Sequence, residues 1–393
     1  MSSQTVIQET VIRPPGTFFP NLNGLRFLAA FLVIISHTEQ VKNELGLPNI
    51  YDTNVFIDHM GNIGVTLFFV LSGFLITYLL LAEKEKYGRI SVKAFYMRRV
   101  LRIWPLYYLI VILALFVLPN ISLFHIPVLT GQVHDNFVAK AILFLTILPN
   151  VASVVFPQVP YAGQLWSIGV EEQFYLLWPV LMNYTQKYVK IMSITIIVIV
   201  LLSSGFLGDL MVSIGHNRQW HSEAWFESAR IVTAFFRDLR ISCMAIGGLG
   251  AYILYFNKTE MLEIVFAKRP QIVALALSVV MVLRGTKVSQ EFYAVFFIII
   301  ILNLAANPKR LVSLENPVLH YLGKISYGLY MYHNIAIILA IRLLQYFIGD
   351  IKGVFTGIAL YMTVLVFTVI LASVSYQTLE MWFMKRKHRF SRV

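Results

Sequence analysis

Two residues that can carry chemistry lie in the first long apolar segment of the chain, NLNGLRFLAAFLVIISH. Arg26 and His37 are 11 positions apart. On an α-helix this spacing is about 16 Å along the axis and about 20° from a whole number of turns, so the two side chains share one face. Imidazole titrates near neutrality and suits a general base. The alternative is that Arg26 reaches lipid phosphates and His37 hydrogen-bonds a neighbouring helix.

A cluster of arginines precedes another apolar segment, in FYMRRVLRIWPLYYL. It contains Arg98, Arg99 and Arg102, and the last two share one helical face because they are three positions apart. Guanidinium groups bind phosphate oxygens in a bidentate manner, which makes this pair a candidate phosphate site. Taken alone, the cluster is better explained by the positive charge that flanks membrane spans and by contacts with lipid headgroups.

Two adjacent carboxylates, Glu171 and Glu172, lie inside the apolar segment QLWSIGVEEQFYLLWPVL. Neighbouring helical positions are about 100° apart, so at most one of the two can point squarely at a given site. A carboxylate in this place can act as a base, as an acid or as the group that orients a histidine. The alternative is a structural ion pair with Arg237 or Arg240.

Two further segments combine small or polar residues with apolar ones. In ISYGLYMYH and the asparagine that follows it, Tyr327, Tyr330 and His333–Asn334 recur at a helical spacing and form a polar stripe. This stripe fits the wall of a wet cavity or an aromatic belt at the membrane interface. In GVTLFFVLSGFLI, Ser72 lies beside Gly73 without the G-x-S-x-G motif of a nucleophilic serine, so we interpret Ser72 as a packing residue.

The composition indicates which elements position these residues. Hydrophobic residues make up 58% of the 393 residues and charged residues only 13%, which excludes a soluble enzyme, a disordered chain and a disulfide scaffold. The lone cysteine, Cys243, excludes an internal disulfide and a cysteine-based zinc cluster. We therefore predict an all-α, polytopic membrane protein with ten transmembrane helices. The predicted spans are 24–41, 60–82, 103–119, 165–185, 191–210, 230–256, 270–284, 291–306, 325–347 and 354–384.

Positive charge predicts how these spans are oriented. If the amino terminus is cytosolic and the apolar run 138–157 does not cross, 21 Lys and Arg residues fall on the inner side and 6 on the outer side. We therefore predict that both termini are cytosolic and that 138–157, which is broken by Pro149, is a non-crossing helix. The chain then has a short cytosolic arm at 1–20, one transmembrane domain at 21–385 and a basic cytosolic tail at 386–393. This asymmetry, rather than nucleic acid binding, explains the net charge of +12.

Together these segments resemble the acyltransferase 3 family of integral-membrane O-acyltransferases, over roughly residues 20–385. Four blocks carry the resemblance in order: NLNGLRFLAAFLVIISH, GVTLFFVLSGFLI, FYMRRVLRIWPLYYL and LWSIGVEEQFYLLWP. Weaker support comes from RDLRISCMAIGGLGAYIL, ISYGLYMYH and TLEMWF. Many family members carry Asp where this chain has Asn23 and Thr66, which leaves open whether an acidic residue assists in the first two spans.

The resemblance implies a membrane O-acyltransferase that uses cytosolic acyl-CoA, with acetyl-CoA expected as co-substrate and no permanently bound cofactor or metal. The acceptor would be a hydroxyl of a surface glycan, a lipid-linked sugar or a similar molecule. His37 would be the general base or an acyl relay, oriented by Glu171 or Glu172. The expected donor-binding residues are Arg26, Arg98, Arg99 and Arg102. The expected contacts to the acceptor or the oxyanion are Arg240, Tyr327, Tyr330 and His333.

Two other classes of protein stay open. A transporter or flippase of lipid-linked sugars shares the polytopic architecture and the intramembrane charges, although the repeated halves typical of transporters are not seen in this sequence. A purely structural membrane protein would leave Arg26 and His37 without a role. The expected partners are acyl-CoA, a carbohydrate or lipid-linked glycan, and membrane lipids, with no nucleic acid and with homo-oligomerisation left open. The predicted location is the plasma or inner membrane, as a multi-pass protein.

Overall fold

The computed structural model describes residues 19, 21–51, 54–127, 129–217, 223–284 and 288–390, and within these ranges it contains no β-strand. The predicted arm, apart from Phe19, and residues 391–393 of the predicted tail lie outside the described residues. The α-helices are α1 (Asn21–Glu44), α2 (Val55–Tyr87), α3 (Val92–Ile112), α4 (Leu129–Gln132), α5 (Phe137–Leu145), α6 (Pro149–Val155), α7 (Trp166–Tyr184), α8 (Tyr188–Ser203), α9 (Phe206–Asn217), α10 (Glu223–Asp238), α11 (Ile241–Tyr255), α12 (Thr259–Phe266), α13 (Lys268–Arg284), α14 (Gln290–Ala306), α15 (Pro317–Lys324), α16 (Ser326–Ile348), α17 (Val354–Ser375) and α18 (Met381–Lys387). The shorter helical turns of these ranges are π-helical at Leu113–Val117 and Tyr376–Glu380, and 3-10 at Leu118–Asn120, Ser122–Phe124, Gly163–Leu165 and His388–Phe390.

The predicted all-helical class is confirmed for the described residues, and each predicted span coincides with one helix or with consecutive helices. By length and apolar composition, four helical stretches of the described chain can cross a membrane: His59–Tyr87, Val92–Asn120, Ser326–Ile348 and Val354–Lys387. Two bent helix pairs, α8 with α9 and α10–α11 with α12, raise this number to six. The count is below ten partly because α14, which is apolar, has only 17 residues. Ten crossings and cytosolic termini therefore remain predictions.

The segment 138–157 forms two short helices, so the prediction of a single helix there is wrong. α5 and α6 contain 9 and 7 residues, and Pro149 is the first residue of α6. Proline is favourable at this position because its missing N–H needs no partner in the first turn. Both helices are far shorter than the roughly 20 residues that cross a bilayer.

The cluster of arginines lies within a helix rather than ahead of one. Gly88, at φ 71°, ends α2 in the left-handed conformation, and α3 begins at Val92. Arg98, Arg99 and Arg102 therefore occupy the middle of α3, ahead of the predicted start of this span at residue 103. As a consequence, their side chains belong to the wall of the helical bundle.

Glycines set the close packing around α2. A Cβ at Gly73 would overlap the backbone of Met244 in α11, and a Cβ at Gly247 of α11 would overlap the carbonyl oxygen of Val70. Gly64 of α2 faces the carbonyl oxygen of Ala29 in α1 in the same manner. Small residues allow helices to approach this closely in membranes. These contacts fix α2 relative to α1 and to α11.

Two interruptions of the long helices bear on the candidate site. α10 ends at Asp238 and α11 begins at Ile241, so Arg240 lies at the junction between them. At the carboxyl end, the π-helical turn Tyr376–Glu380 joins α17 to α18, and α18 packs against α3. The carboxyl-terminal helix therefore lies beside the helix that carries the cluster of arginines.

Candidate functional site

His37 of α1 and His333 of α16 meet inside the helical bundle. Nδ1 of His37 lies 2.7 Å from Nε2 of His333, and the ring centroids are 4.9 Å apart. Nδ1 of His333 lies 2.6 Å from the main-chain oxygen of Tyr330, which can only accept a hydrogen bond. With both rings neutral, His333 donates from Nδ1 and accepts at Nε2 from His37. Nε2 of His37 therefore carries the lone pair that a general base requires.

Space beside this nitrogen is left by a glycine of α2. A Cβ built on Gly61 would lie 3.8 Å from Nε2 of His37 and 3.0 Å from Oγ of Ser36. A larger side chain at Gly61 would occupy the volume next to the lone pair. The absence of a side chain at this position keeps Nε2 of His37 approachable from the side of α2.

A buried amide network supports the second histidine. Asn334, which is 8% exposed, donates from Nδ2 to Oε1 of Gln164 at 2.8 Å, and its Oδ1 has no hydrogen-bond partner among the described residues. Gln164 donates in turn to the main-chain oxygens of Tyr161 and Met331, both at 3.0 Å. Outside the spans, burial raises the pKa of Tyr161 to about 12, so its hydroxyl stays protonated and donates to the main-chain oxygen of Phe124. This network fixes the turn of α16 that carries His333.

A cavity of about 250 Å³ lies between α1, α2, α3, α7 and α16, with α18 at one side. The ionisable basic and acidic residues of its lining are Arg26, Arg99, Arg102, Lys387 and Glu171, so four basic side chains share the cavity with one carboxylate. We call it the cationic cavity. Its excess of positive charge favours a ligand with several negative charges, such as a phosphorylated donor.

The geometry of α1 agrees with the predicted relation between Arg26 and His37. The helix is continuous from Asn21 to Glu44, so the two residues are held at a fixed separation. Arg26 lines the cationic cavity, whereas His37 contacts His333. Tyr330, one turn before His333, lines the cavity as well and connects the two places.

Two of the cavity arginines keep hydrogen-bonding capacity for a ligand. Arg26 makes a long contact of 3.4 Å from Nη1 to Oδ1 of Asn23. The guanidinium of Arg99 lies between the rings of Phe95 and Tyr175, at 5.5 and 5.4 Å from their centroids. Its buried Nε has no hydrogen-bond partner in the described part of the chain. An unpaired buried donor is costly, and an anion in the cavity would satisfy it.

Arg98 does not line the cationic cavity, contrary to its expected role in donor binding. Its Nη2 lies 3.0 Å from Oε2 of Glu83, which is 1% exposed, and its Nη1 donates to the main-chain oxygen of Phe390 at 2.7 Å. Its position in α3 explains this, because neighbouring helical residues point about 100° apart. Arg98 therefore fastens the end of α2 and the carboxyl-terminal segment to α3.

The two adjacent carboxylates occupy different environments. Glu171 lines the cationic cavity and accepts short hydrogen bonds from the hydroxyls of Ser72 and Tyr175. Glu172 is outside the lining and accepts a hydrogen bond of 3.1 Å from Nε1 of Trp104. The contact expected between a glutamate and His37 is made by His333 instead. The alternative of an ion pair with Arg237 or Arg240 is not realised within the described residues.

The remaining predicted residues divide between the cavity wall and its surroundings. Tyr327 and Tyr330 line the cavity; the hydroxyl of Tyr327 donates to the main-chain oxygen of Ile103 at 2.8 Å, and that of Tyr330 lies 2.7 Å from Oγ of Ser167. Arg240 is held elsewhere. It donates from Nη2 to Oδ1 of Asn62 at 2.9 Å, lies 5.0 Å from the centroid of Trp166 and is outside the cavity lining.

Two residues of the site, Ser72 and Lys387, were missed by reasoning from sequence. Ser72 donates to Glu171 in the cavity wall, although its small neighbours indicated packing alone. Lys387 belongs to a basic run that was sufficiently explained by topology. Asn334, which belongs to the predicted polar stripe, lies next to His333 and donates to Gln164. No group of three His, Cys, Asp or Glu residues that could hold a metal ion occurs in the described ranges.

Comparison with known proteins places these features in a family. Residues 19–377 match the profile of the acyltransferase domain family Acyl_transf_3. A putative O-acetyltransferase of Staphylococcus aureus (strain COL) is 26% identical over 384 residues, which cover 94% of this chain and 58% of that protein. The O-acetyltransferase OatA of S. aureus (strain NCTC 8325) is 26% identical over 381 residues, or 92% of this chain and 57% of that protein.

A further relative is similar over a shorter region. The peptidoglycan O-acetyltransferase OatA of Listeria monocytogenes is 32% identical over 177 residues, or 44% of this chain and 25% of that protein. The chain therefore spans less than three fifths of the length of the S. aureus relatives that it matches along most of its own length. No solved structure matches the chain.

Proposed function

Because the chain belongs to the acyltransferase 3 family, with the family profile matched over residues 19–377, we propose that it is a membrane O-acyltransferase that uses acyl-CoA. The expected acyl group is acetyl, and the expected acceptor is a hydroxyl of a surface glycan, a lipid-linked sugar or a similar molecule. The relatives are named O-acetyltransferases, and one of them is named for peptidoglycan, which supports this choice.

The observation that carries the proposal is the pair of histidines next to a cationic cavity. Nε2 of His37 is free to accept a proton because its Nδ1–H is donated to His333. Arg26, Arg99, Arg102 and Lys387 supply positive charge within the adjoining cavity. Acyl transfer from a coenzyme A thioester to a hydroxyl requires two parts, a general base and a site that binds the phosphates of coenzyme A.

In the proposed reaction, Nε2 of His37 takes the proton of the acceptor hydroxyl while its oxygen attacks the thioester carbonyl carbon. The carbon–sulfur bond then breaks, the sulfur leaves as a thiolate, and the proton on His37 returns to that thiolate. His333 stabilises the imidazolium by accepting the hydrogen bond from Nδ1–H throughout. In the second route, Nε2 itself attacks the thioester carbonyl carbon, the carbon–sulfur bond breaks and coenzyme A leaves as a thiolate. The acceptor hydroxyl then attacks the acyl-imidazolium, its proton passes to the thiolate, and Nε2 regains its lone pair. In either route, Glu171 stays in the cavity wall, where it accepts hydrogen bonds from Ser72 and Tyr175.

For the donor, we propose that Arg99, Arg102 and Lys387 bind the phosphates of coenzyme A, with Arg26 deeper in the same cavity. Charge-assisted hydrogen bonds to phosphate are roughly twice as strong as neutral ones. The lining tyrosines, Tyr327 and Tyr330, would accompany the pantetheine arm toward the histidines. Neither a resident cofactor nor a metal takes part in this scheme.

The proposed topology has ten crossings with both termini cytosolic, so that the cluster of arginines faces the cytosolic pool of acyl-CoA. A cysteine scan tests it. In a Cys243→Ser background, Ser91→Cys should resist an impermeant thiol reagent in intact cells, and Ser213→Cys should react. The reverse pattern would contradict the orientation.

The activity itself is tested with purified protein in detergent. Radiolabelled acetyl-CoA should be hydrolysed slowly without an acceptor and should label an added cell-wall glycan faster. A flippase would give neither result but would move a fluorescent lipid-linked sugar in vesicles. His37→Gln is the matched control, because it keeps a hydrogen-bonding side chain and removes the base. Equal rates for the wild type and this variant would overturn the proposed role of His37.

A further inference from the structure

A second cavity, of about 370 Å³, lies among α1, α2, α13 and α14. Its walls are aliphatic and aromatic along most of their length, with Leu25 and Leu32 from α1, Ile63 from α2, Leu275 from α13 and Ile300 from α14. We call it the apolar slot. Its volume is within the range of about 300–1,000 Å³ that is common for ligand pockets.

The shape of the apolar slot suits a single extended chain. Along α13 its lining runs from Gln271 to Leu283, which is about 18 Å of helix at 1.5 Å per residue. Val279 and Leu283 are 56% and 60% exposed, so the slot opens sideways, where a lipid bilayer would surround a membrane helix. A lipid chain can therefore enter without unfolding of the bundle.

Polar groups of the slot concentrate at one end. The side-chain amide of Gln271 donates to the main-chain oxygen of Phe266 at 2.9 Å, and that of Asn303 donates to the main-chain oxygen of Val265 at 3.0 Å. Arg310 makes one long contact, 3.4 Å from Nη2 to Oε1 of Glu315, and its buried Nε has no partner in the described ranges. Ser278, the remaining polar residue of the lining, lies midway along the slot.

Further cations stand at the same end. α13 begins at Lys268 and Arg269, both exposed, and Gln271 in its first turn accepts from the main-chain N–H of Leu311 at 3.0 Å. This bond brings the start of α13 next to Lys309 and Arg310. The apolar slot therefore has a cationic mouth and an uncharged body.

We propose that the apolar slot binds one acyl chain of a membrane phospholipid with an acidic headgroup, and that Arg310 binds the headgroup phosphate. The apolar walls match the chain, and the unpaired Nε of Arg310 and the neighbouring cations match the negative head. The bound chain packs against Leu25 and Leu32 and supports α1 on the side away from the cationic cavity. The proposal does not depend on the proposed catalytic activity.

Retention of lipid by purified protein is the direct test. Phospholipid that copurifies after extensive detergent washing is extracted and quantified per protein by mass spectrometry, for the wild type, Leu275→Trp and Ile197→Trp. Leu275→Trp fills the slot, whereas Ile197→Trp is a matched control on the exposed surface of α8. We expect about one acidic phospholipid per protein in the wild type and the control, and a clear loss in Leu275→Trp. Ser278→Leu, a milder filling change, serves if Leu275→Trp does not fold.

Headgroup selectivity is tested with Arg310→Gln in lipid nanodiscs. The unfolding midpoint of the wild type should be higher with phosphatidylglycerol than with phosphatidylcholine, and Arg310→Gln should reduce this difference. One cation near an acidic surface contributes about 1 kcal/mol, so the preference for the acidic lipid should fall about fivefold.

Three outcomes would overturn the proposal. Equal lipid retention by Leu275→Trp and Ile197→Trp would show that the lipid is not in the slot. Retention of a polyprenyl phosphate instead of a phospholipid would assign the slot to another ligand. Occupancy by detergent only, with no headgroup preference, would show that no specific lipid site exists.

Discussion

The cationic cavity and the apolar slot lie on opposite sides of the same helix and differ in almost every property. Arg26 of α1 faces the cationic cavity, and its chain neighbour Leu25 faces the apolar slot. Polar residues in an apolar helix are costly, and those that are present usually have a function. For this reason the residue types alone predicted most of the charged residues that line the cationic cavity. The apolar slot is lined mostly by aliphatic and aromatic residues. Only the packing of the four helices shows that these side chains leave a cavity between them.

The two cavities also differ in how a ligand would stabilise them. In the cationic cavity, like charges converge, and an anion relieves their repulsion in a medium of low dielectric constant. In the apolar slot, a ligand gains by filling space and by dispersion contacts with the wall. The comparison therefore predicts that charge changes affect the first cavity and volume changes affect the second. The variants below change the cationic cavity or the histidines beside it, and none of them should alter the retention of phospholipid in the apolar slot.

The largest effect is expected from His37→Gln. General base catalysis contributes roughly 10²–10⁴-fold, so turnover should fall by at least that lower factor while binding of acetyl-CoA and retention of phospholipid are unchanged. Radiometric transfer assays and equilibrium binding check both parts. If the variant keeps more than about a tenth of wild-type turnover, well above the general-base range, the base lies elsewhere.

His333→Ala should come next. His333 positions His37 and fixes its tautomer, and misplacement of a reacting group by about 1 Å is able to reduce a rate about 10²-fold. We expect a lower kcat with an unchanged KM for acetyl-CoA. His333→Gln, which keeps an acceptor near His37, should restore part of the rate. A change in KM alone would indicate a structural role.

The donor site is tested by Arg99→Ala combined with Arg102→Ala. Loss of charge-assisted hydrogen bonds costs about 1.5–3 kcal/mol each, so KM for acetyl-CoA should rise at least about tenfold. The matched control is Arg98→Gln with Glu83→Gln, which removes one charge from α3 and its partner charge from α2, both outside the cavity. The control should lower thermal stability without a change in KM. Equal KM values in both double variants would remove the cluster from donor binding.

The smallest difference is expected between the two carboxylates. Glu171→Gln should reduce activity more than Glu172→Gln, by about tenfold or 1.4 kcal/mol, because only Glu171 lines the cationic cavity. Glutamine at 172 retains an oxygen that accepts from Trp104. Steady-state kinetics of both variants provide the measurement, and equal mild losses would indicate that the pair is structural.

The sequence predicted the helices well because apolar runs of this length have few other folds available in a membrane. It also selected Arg26, Arg99, Arg102, Glu171, Tyr327 and Tyr330, all of which line one cavity. Arg98, which was expected to bind the donor, does not line this cavity. Its side chain points to Glu83, because the rotation of α3 about its own axis is set by the neighbouring helices.

Pairings between distant helices were beyond the reach of the sequence. His37 and His333 are 296 positions apart, and nothing in either segment names the other as its partner. A glutamate was predicted to orient His37, because two glutamates, Glu171 and Glu172, lie within an apolar span. The place of Lys387 in the cavity lining was equally hard to predict, because a lysine in a basic tail has the same local sequence pattern whether or not its side chain reaches a cavity.

The π-helical turn Tyr376–Glu380 acts as a phase shift in the last long helix. One additional residue in a turn rotates everything beyond it by about 100° about the helix axis, as a single-residue insertion would. The direction in which α18 presents Lys387 is therefore set at a point two turns earlier, by the geometry of the backbone rather than by any contact of the lysine. Whether Lys387 reaches the cationic cavity therefore depends on where the π-helical turn inserts its additional residue.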